Sequence, residues 1–375
     1  MKTILKHIEI AFRHAIVYPL LKLFFRNPIR NDRVAVSSVS RLLILRDDGI
    51  GDMIVSTPML RKLKEANPSL KLDVVASARN AEVIKHNPFV DELIVLPKTV
   101  GGLWKELRRL RSKRYDMVIN FVFNRTTAEG ILANIVASKG IKVGQGMDKY
   151  QFYFNRLLKL DRSQKHMVEV LAGVIDDVFG TDYQHAVLQP EVFIDDRSHS
   201  AADSFLHRHH LSRRDARTQG QHYVVINFSA VDVVRRMSEQ QVVNIVKLIR
   251  AMGKEIPVLI YPPSERIKLR TIFSRLADGE ALVFPEEGTA TLLELASLIE
   301  GSRYVVTCDT SVVHFAAAAK TPVFVLFTPT AAKNHEWTPY GVPHACLYAQ
   351  LGSGVDSLSI DLINRELTSF LARVE

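Results

Sequence analysis

Two cysteines in 375 residues, Cys308 and Cys346, supply no disulfide framework, and their spacing matches no zinc pattern. A reducing, cytosolic compartment with two structural thiols is the simplest expectation. No uncharged apolar run approaches the roughly 20 residues needed to span a bilayer. The longest near the N-terminus, residues 15–21, precedes no small-residue cleavage site, so neither spanning nor secretion is expected. Basic residues do not interleave with aromatics beyond the N-terminal segment, which disfavours nucleic acid as a partner. A P-loop ending in Gly-Lys-Ser/Thr is missing. Gly49-Ile50-Gly51 opens a dinucleotide fingerprint, but Ile54 stands where its third glycine belongs. Asp-x-Asp occurs nowhere, which removes the simplest way to hold a divalent ion on a nucleotide diphosphate. No metal site and a metal-independent chemistry are expected.

What is present is ordinary globular material, 47% apolar and 24% charged, of a length that suits about two domains. The net charge is +9, and residues 1–40 hold +5 of it. In that leader Ile4, Leu5, Ile8, Ala11, Phe12, Ala15 and Ile16 share one helical face, opposite Lys2, Lys6, Glu9 and Arg13. Pro19 should break or kink the helix. A basic amphipathic segment with aromatics suits an anionic membrane surface, and packing on the protein's own body is the alternative.

The chain is organised around residues 42–65, LLILRDDGIGDMIVSTPMLRKLKE. An apolar strand enters a turn with two glycines and three aspartates, and a helical pattern starts near Ile54 with Pro58 in its first turns. Such a unit opens an α/β sheet whose ligands sit beyond the carboxyl ends of the strands. Gly49 and Gly51 allow positive φ and close approach. Asp52, at a helix N-terminus, is either a carboxylate base or a helix cap.

From residue 41 short β-rich runs alternate with helical ones: strands at 42–46, 72–77, 92–97, 117–122 and 142–144, helices at 53–66, 79–86, 101–113, 127–138 and 163–180. Alternation of this kind implies right-handed βαβ units and a parallel sheet. Residues 191–221, rich in His, Arg, Ser and Asp, read as a linker. Its histidines His207, His209 and His210 read as a solvated face rather than a metal site. The alternation then restarts, with strands near 222–230, 257–263, 281–285, 304–308 and 323–327. A last helix covers 359–374.

In residues 304–330, a strand delivers Asp309, Thr310 and Ser311 to a turn before a helix of small residues. Amides at that N-terminus, with two hydroxyls, suit a diphosphate. His314 lies on the face toward the turn and can donate to a phosphate oxygen. In residues 227–241, Arg235 and Arg236 precede a helix. They suit either a bidentate clamp on a departing diphosphate or a solvated surface pair.

Taken together and in order, several motifs resemble glycosyltransferase family 9, the lipopolysaccharide heptosyltransferases. They are Gly51-Asp52 with Thr57-Pro58, Tyr115-Asp116, Lys142-Val143-Gly144, His166 with Glu169, DTSVVHFAAA at 309–318, Pro322 and Thr328-Pro329-Thr330. The resemblance implies a GT-B architecture of two Rossmann-like parallel-sheet domains facing a cleft, and an inverting, metal-independent transfer. It makes Asp52 the base. Arg235 would match the family's diphosphate-binding basic residue, with Met237 and Ser238 in place of Trp and Pro and with Arg236 beside it. Glu265 resembles the carboxylate that meets the donor nucleoside, and Asp309, Thr310, Ser311, Val312 and His314 match the nucleotide-sugar loop. Asn120 stands where many members have Asp.

The expected organisation is a leader at 1–40, an acceptor domain at 41–190, a linker at 191–221, a nucleotide-sugar domain at 222–355 and a closing helix at 356–375. No cofactor is expected, only a nucleotide-sugar donor, ADP-heptose in the family. Gly51, Arg61, Lys62, Lys64 and Arg79 are expected to meet an anionic glycolipid acceptor such as a lipid A core, at the cytoplasmic face of the inner membrane. Rival readings are transfer of another sugar to an O-antigen or capsule glycan, and a nucleotide-sugar-binding protein without catalysis.

Overall fold

The computed structural model describes residues 16–25, 27–123, 126–215, 220–253, 255–329 and 335–374. The leader's amphipathic face at residues 4–15 lies outside them. The described part of the leader forms a helix, α1 (Tyr18–Phe24), with Pro19 in its first turn, where its missing N–H costs nothing. Tyr18 packs edge-on against Tyr150 and Tyr153 and its hydroxyl meets Thr127 Oγ1 at 3.1 Å. Asn27 and Pro28 continue the docking through hydrogen bonds to Asn134 and Asn155. Leu20, Leu23 and Phe24 remain exposed.

The first α/β unit runs β1 (Arg41–Arg46), α2 (Ile50–Ala66), β2 (Lys71–Ala76), β3 (Glu92–Val95), α3 (Val100–Ser112), β4 (Met117–Asn120), α4 (Thr126–Val136), β5 (Ile141–Gln145), β6 (Arg156–Leu158) and α5 (Met167–Phe179). Its six strands are all parallel in the order β3-β2-β1-β4-β5-β6, with Leu42 opposite Leu72 on one side and Met117 on the other. β1 and β4 are buried along almost their whole length because helices cover both faces of the sheet, which is why they read as continuous apolar runs.

The second unit runs α6 (Asp196–Arg208), β7 (Leu211–Ser212), β8 (Gln221–Asn227), α7 (Glu239–Met252), β9 (Ile256–Ile260), α8 (Arg266–Phe273), β10 (Leu282–Phe284), α9 (Leu292–Gly301), β11 (Val305–Cys308), α10 (Ser311–Ala318), β12 (Val323–Phe327), β13 (His344–Tyr348) and α11 (Ile360–Val374). The order β10-β9-β8-β11-β12-β13 repeats that of the first sheet, again all parallel, with β7 added beside the start of β8. Segment 191–221, read as a linker, is therefore largely built into this unit, since α6 packs on α9 and β7 pairs with β8. The closing helix α11 rests on α7 and β13.

Helix α2 starts at Ile50, four residues before the expected Ile54, so Pro58 lies in its interior. A proline there removes the N–H that Ile54 O would accept. Thr57 Oγ1 replaces it at 2.7 Å, and Ser56 Oγ donates to Asp52 O at 2.7 Å. The helix thus tolerates its proline by side-chain substitution of the lost bond.

Candidate functional site

In a doubly wound sheet, ligands gather where strand order reverses. That point lies between β1 and β4 in the first sheet and between β8 and β11 in the second. The turns leaving β1, β8 and β11 open on a shared cavity of about 530 Å³. The first unit contributes residues 49–52 and Arg79. The second contributes Asp232, Arg235, residues 309–311 and His314, with Phe327, Thr328, Trp337 and Tyr348 as further wall.

Asp52 occupies the third position of α2, and Gly49 is the residue before the helix. Its carboxylate makes no capping bond there; it turns to the guanidinium of Arg46, with Oδ1 3.4 Å from Nη2, and stays 27% exposed. Neither glycine of the turn has positive φ, contrary to the sequence reading: Gly49 has φ −88° and Gly51 is helical. Their absent side chains matter for space instead. A Cβ on Gly49 would lie 2.3 Å from Asp52 Oδ2, and one on Gly51 would lie 2.5 Å from His314 Cδ2. The room belongs to the carboxylate and to a histidine of the opposite unit.

On the second unit, Thr310 caps α10, its Oγ1 accepting from Val312 N at 3.3 Å and from Asn227 Nδ2 at 3.0 Å. The Thr310 hydroxyl and the Val312 amide are therefore engaged with each other, and the Val312 side chain does not line the cavity. Ser311 and Asp309 do, and Asp309 Oδ2 pairs with Arg235 Nη1 at 3.2 Å. The two arginines separate clearly. Arg235 faces the cavity, 44% exposed, whereas Arg236 turns away to Glu265 Oε1 at 2.7 Å and to Ala230 O. Glu265 is buried and off the cavity wall. His314 is buried with its Nδ1 unpartnered among the described residues, and burial pulls its pKa down to about 4. It is a neutral ring that can present one N–H or one lone pair.

Three expected acceptor contacts are committed elsewhere. Arg61 forks onto Glu191, with Nε to Oε2 at 2.8 Å, and stacks 4.4 Å from the Phe89 ring. Lys62 pairs with Glu65 in the next turn, and Lys64 with Asp91 and Leu70 O. None of the three lines the cavity; Gly51 and Arg79 do. Asn120 is buried and folds back on Val122 through both its amide atoms.

The pairing of His166 with Glu169 is a capping box on α5. Nδ1 accepts from Val168 N at 3.1 Å while the Glu169 carboxylate accepts from His166 N. With Nδ1 accepting, the proton sits on Nε2 and is donated to Thr338 O of the second unit at 2.9 Å. Burial holds this ring neutral too, at about 3. Beside it, Arg162 pairs with the buried Glu336 and Met167 N donates to Glu336 O, so the two units are stitched along one seam.

Reasoning from sequence missed Arg46, Trp337, Phe327 and Tyr348. The last two stack at 5.4 Å across β12 and β13, and the interrupted apolar pattern of His344–Tyr348 gave no strand signal. In the expected linker, His209 bonds to Glu286 at 2.8 Å. Among the described residues, no cluster of three or more His, Cys, Asp or Glu could hold a metal ion, and no helix is long and apolar enough to cross a membrane.

Residues 103–356 match the model of glycosyltransferase family 9 (heptosyltransferase). Lipopolysaccharide heptosyltransferase 3 of Escherichia coli is 23% identical over 303 residues, covering 77% of this chain and 83% of that protein. The structure of the family 9 glycosyl transferase from Veillonella parvula superposes with a TM-score of 0.76 at 19% identity, over 91% of this chain and 99% of the other. That of E. coli heptosyltransferase WaaC with ADP-2-deoxy-2-fluoro heptose gives 0.64 at 20% identity, over 88% and 99%. The two Rossmann-like sheets facing a cleft are thus the GT-B arrangement of heptosyltransferases, and the chain is a glycosyltransferase that belongs to family 9.

Proposed function

We propose that the protein transfers a heptose from ADP-heptose, with inversion and without a metal ion, to the anionic inner core of a lipopolysaccharide precursor. The observation that carries this reading is the meeting of two sites in one cavity: Asp52 from the first unit, and Asp309, Ser311 and Arg235 from the second.

In this reading the donor diphosphate lies at the start of α10 and exchanges with Asp309 as the partner of Arg235. Asp52 accepts the proton of an acceptor hydroxyl as its oxygen attacks the anomeric carbon. The bond from that carbon to the diphosphate oxygen breaks, and Arg235 with the N-terminal end of α10 balances the charge that leaves. His314 contributes a neutral contact. Arg79 supplies the acceptor side with a cation. Glu265 supports the donor half through Arg236.

The exposed Leu20, Leu23 and Phe24 of α1 support docking of the leader on the anionic inner face of the membrane where such glycolipids are made. The helix is tied to the first unit at Tyr18, so replacing the three apolar side chains with Gln tests docking without unpacking the fold. Flotation with anionic vesicles should fall; unchanged flotation would refute docking through this face.

The enzymatic reading is tested by incubating the purified full chain with ADP-heptose and with a panel of UDP-, GDP- and ADP-sugars on truncated lipid A core. ADP-heptose is expected to give turnover. Turnover with a different nucleotide sugar alone would displace the heptosyl assignment, and donor binding with no transfer would favour a binding protein.

A further inference from the structure

Arg46 ends β1 with its side chain wholly buried beneath the catalytic turn. Its Nε donates to Asp52 O at 2.9 Å, Nη2 lies 3.4 Å from Asp52 Oδ1, Nη1 lies 3.2 Å from Asp48 Oδ2, and Nη1 also donates to Phe121 O. One guanidinium therefore serves two carboxylates four residues apart. Asn80 Nδ2 also holds the turn, through Arg46 O at 2.9 Å and Gly49 O at 3.2 Å. Asp48 Oδ1 is buried and receives no hydrogen bond among the described residues. A partly buried carboxylate with half its acceptor capacity unmet is costly to keep ionised.

We propose that Asp48 is a positioning residue that competes with Asp52 for the Arg46 guanidinium and thereby sets how readily Asp52 accepts a proton. The inference rests on the reading of Asp52 as the base. When Asp48 is ionised, Arg46 is shared, and the negative charge of Asp48 also disfavours ionised Asp52; the Asp52 carboxylate is the stronger base. When Asp48 is protonated, Arg46 serves Asp52 alone and holds it as a weaker one. Burial and the Asp52 charge outweigh Arg46 and raise Asp48 to about 6, so this exchange falls within an ordinary pH range.

The other charged groups near the pair come from every neighbouring element. Asp47 precedes Asp48 and also raises it. Arg79 stands on the cavity wall. Arg162 approaches the same Phe123 ring as Arg46 and is paired with Glu336. His314 opposite Gly51 is neutral. None of these bridges the two carboxylates as Arg46 does.

Asp48→Asn removes the competitor and keeps the shape. In the full chain labelled with ¹³Cγ-aspartate, the Asp48 resonance is identified by its absence in Asp48→Asn. Its titration midpoint should fall by about one pH unit in Asp52→Asn, because the coupling through Arg46 is reciprocal. In Asp48→Asn the plateau kcat should fall about threefold, as a Brønsted response to the weaker base, with donor KM and ADP binding unchanged. Asp48→Glu should restore kcat. An Asp48 midpoint unmoved in Asp52→Asn, or a change confined to KM in Asp48→Asn, would overturn the proposal. Full turnover by Asp52→Asn overturns the base assignment instead, and the Asp48 midpoint then judges the Arg46 coupling separately.

Discussion

Gly51 and His314 belong to different α/β units and meet so closely that a Cβ on the glycine would stand 2.5 Å from the imidazole Cδ2 and 3.1 Å from Nε2. The first turn of α2, which carries Asp52, is seated on α10, whose first residue Ser311 lines the shared cavity. Gly51→Ala would force a buried ring to move and open the units at this point. Helical geometry favours alanine by up to about 1 kcal/mol, but displacing a buried ring costs about 1–3 kcal/mol, so thermal stability should fall slightly. Turnover should fall by about tenfold or more because Asp52 is displaced from the donor. Activity equal to wild type would show that the contact does not position Asp52.

The two adjacent arginines should separate in kinetics and in stability. Arg235→Ala exposes no buried partner, and should lower kcat/KM by about 100-fold through loss of charge balance at the diphosphate. Arg236→Ala strips the buried Glu265 of a 2.7 Å charged bond, leaving Lys268 as the nearby cation, and should cost about 2 kcal/mol of stability. Denaturant melts with steady-state kinetics distinguish them, and the reverse pattern would exchange their assignments.

Much of this arrangement was legible in the sequence, for identifiable reasons. Buried parallel strands are continuous apolar runs, so β1, β2, β4, β8, β11 and β12 announce themselves. β6 has three residues, and β13 mixes a histidine and a cysteine into an edge strand, so neither has a pattern to read. The start of α2 was placed late because Pro58 looks like a first-turn residue; the Thr57 hydroxyl that lets it sit inside is a side-chain device that sequence periodicity does not encode. Charge was the least legible property. Arg61 reads as an acceptor contact until Glu191, 130 positions away, is found beside it, and Arg46 reads as an ordinary strand end until its burial is known.

Thr57 is fully buried and works in two directions, donating to Ile54 O and accepting from Glu191 N at 2.8 Å. Thr57→Val keeps the volume and strands one carbonyl and one amide. The expected loss is about 1–3 kcal/mol. A denaturant midpoint within error of wild type would mean that water or a shifted backbone replaces both bonds.

The seam between the units should weaken in mild acid. Burial holds His166 at about 3 and His314 at about 4, whereas in the unfolded chain each titrates near 6.5. Below about pH 6.5 the unfolded state therefore binds more protons at these sites. Their contribution is complete above that pH and is lost as pH falls toward about 4, at up to about 1.4 kcal/mol per pH unit for each ring. Asp48, raised to about 6, opposes part of this slope because there the native state binds the extra proton. His166→Asn retains a capping side chain without titrating, and should flatten the slope of stability against pH between about 4 and 6.5 relative to wild type. An unchanged slope would remove His166 from the acid response.

In the proposed reaction Asp52 accepts a proton in a cavity whose opposite wall would hold the donor. Asp52→Asn preserves shape and removes basicity, so the decisive measurement is single-turnover transfer from ADP-heptose to truncated lipid A core, alongside calorimetric binding of ADP. Transfer should fall by at least about 100-fold while ADP binds as in wild type. Transfer at the wild-type rate with ADP binding intact would remove Asp52 as the base.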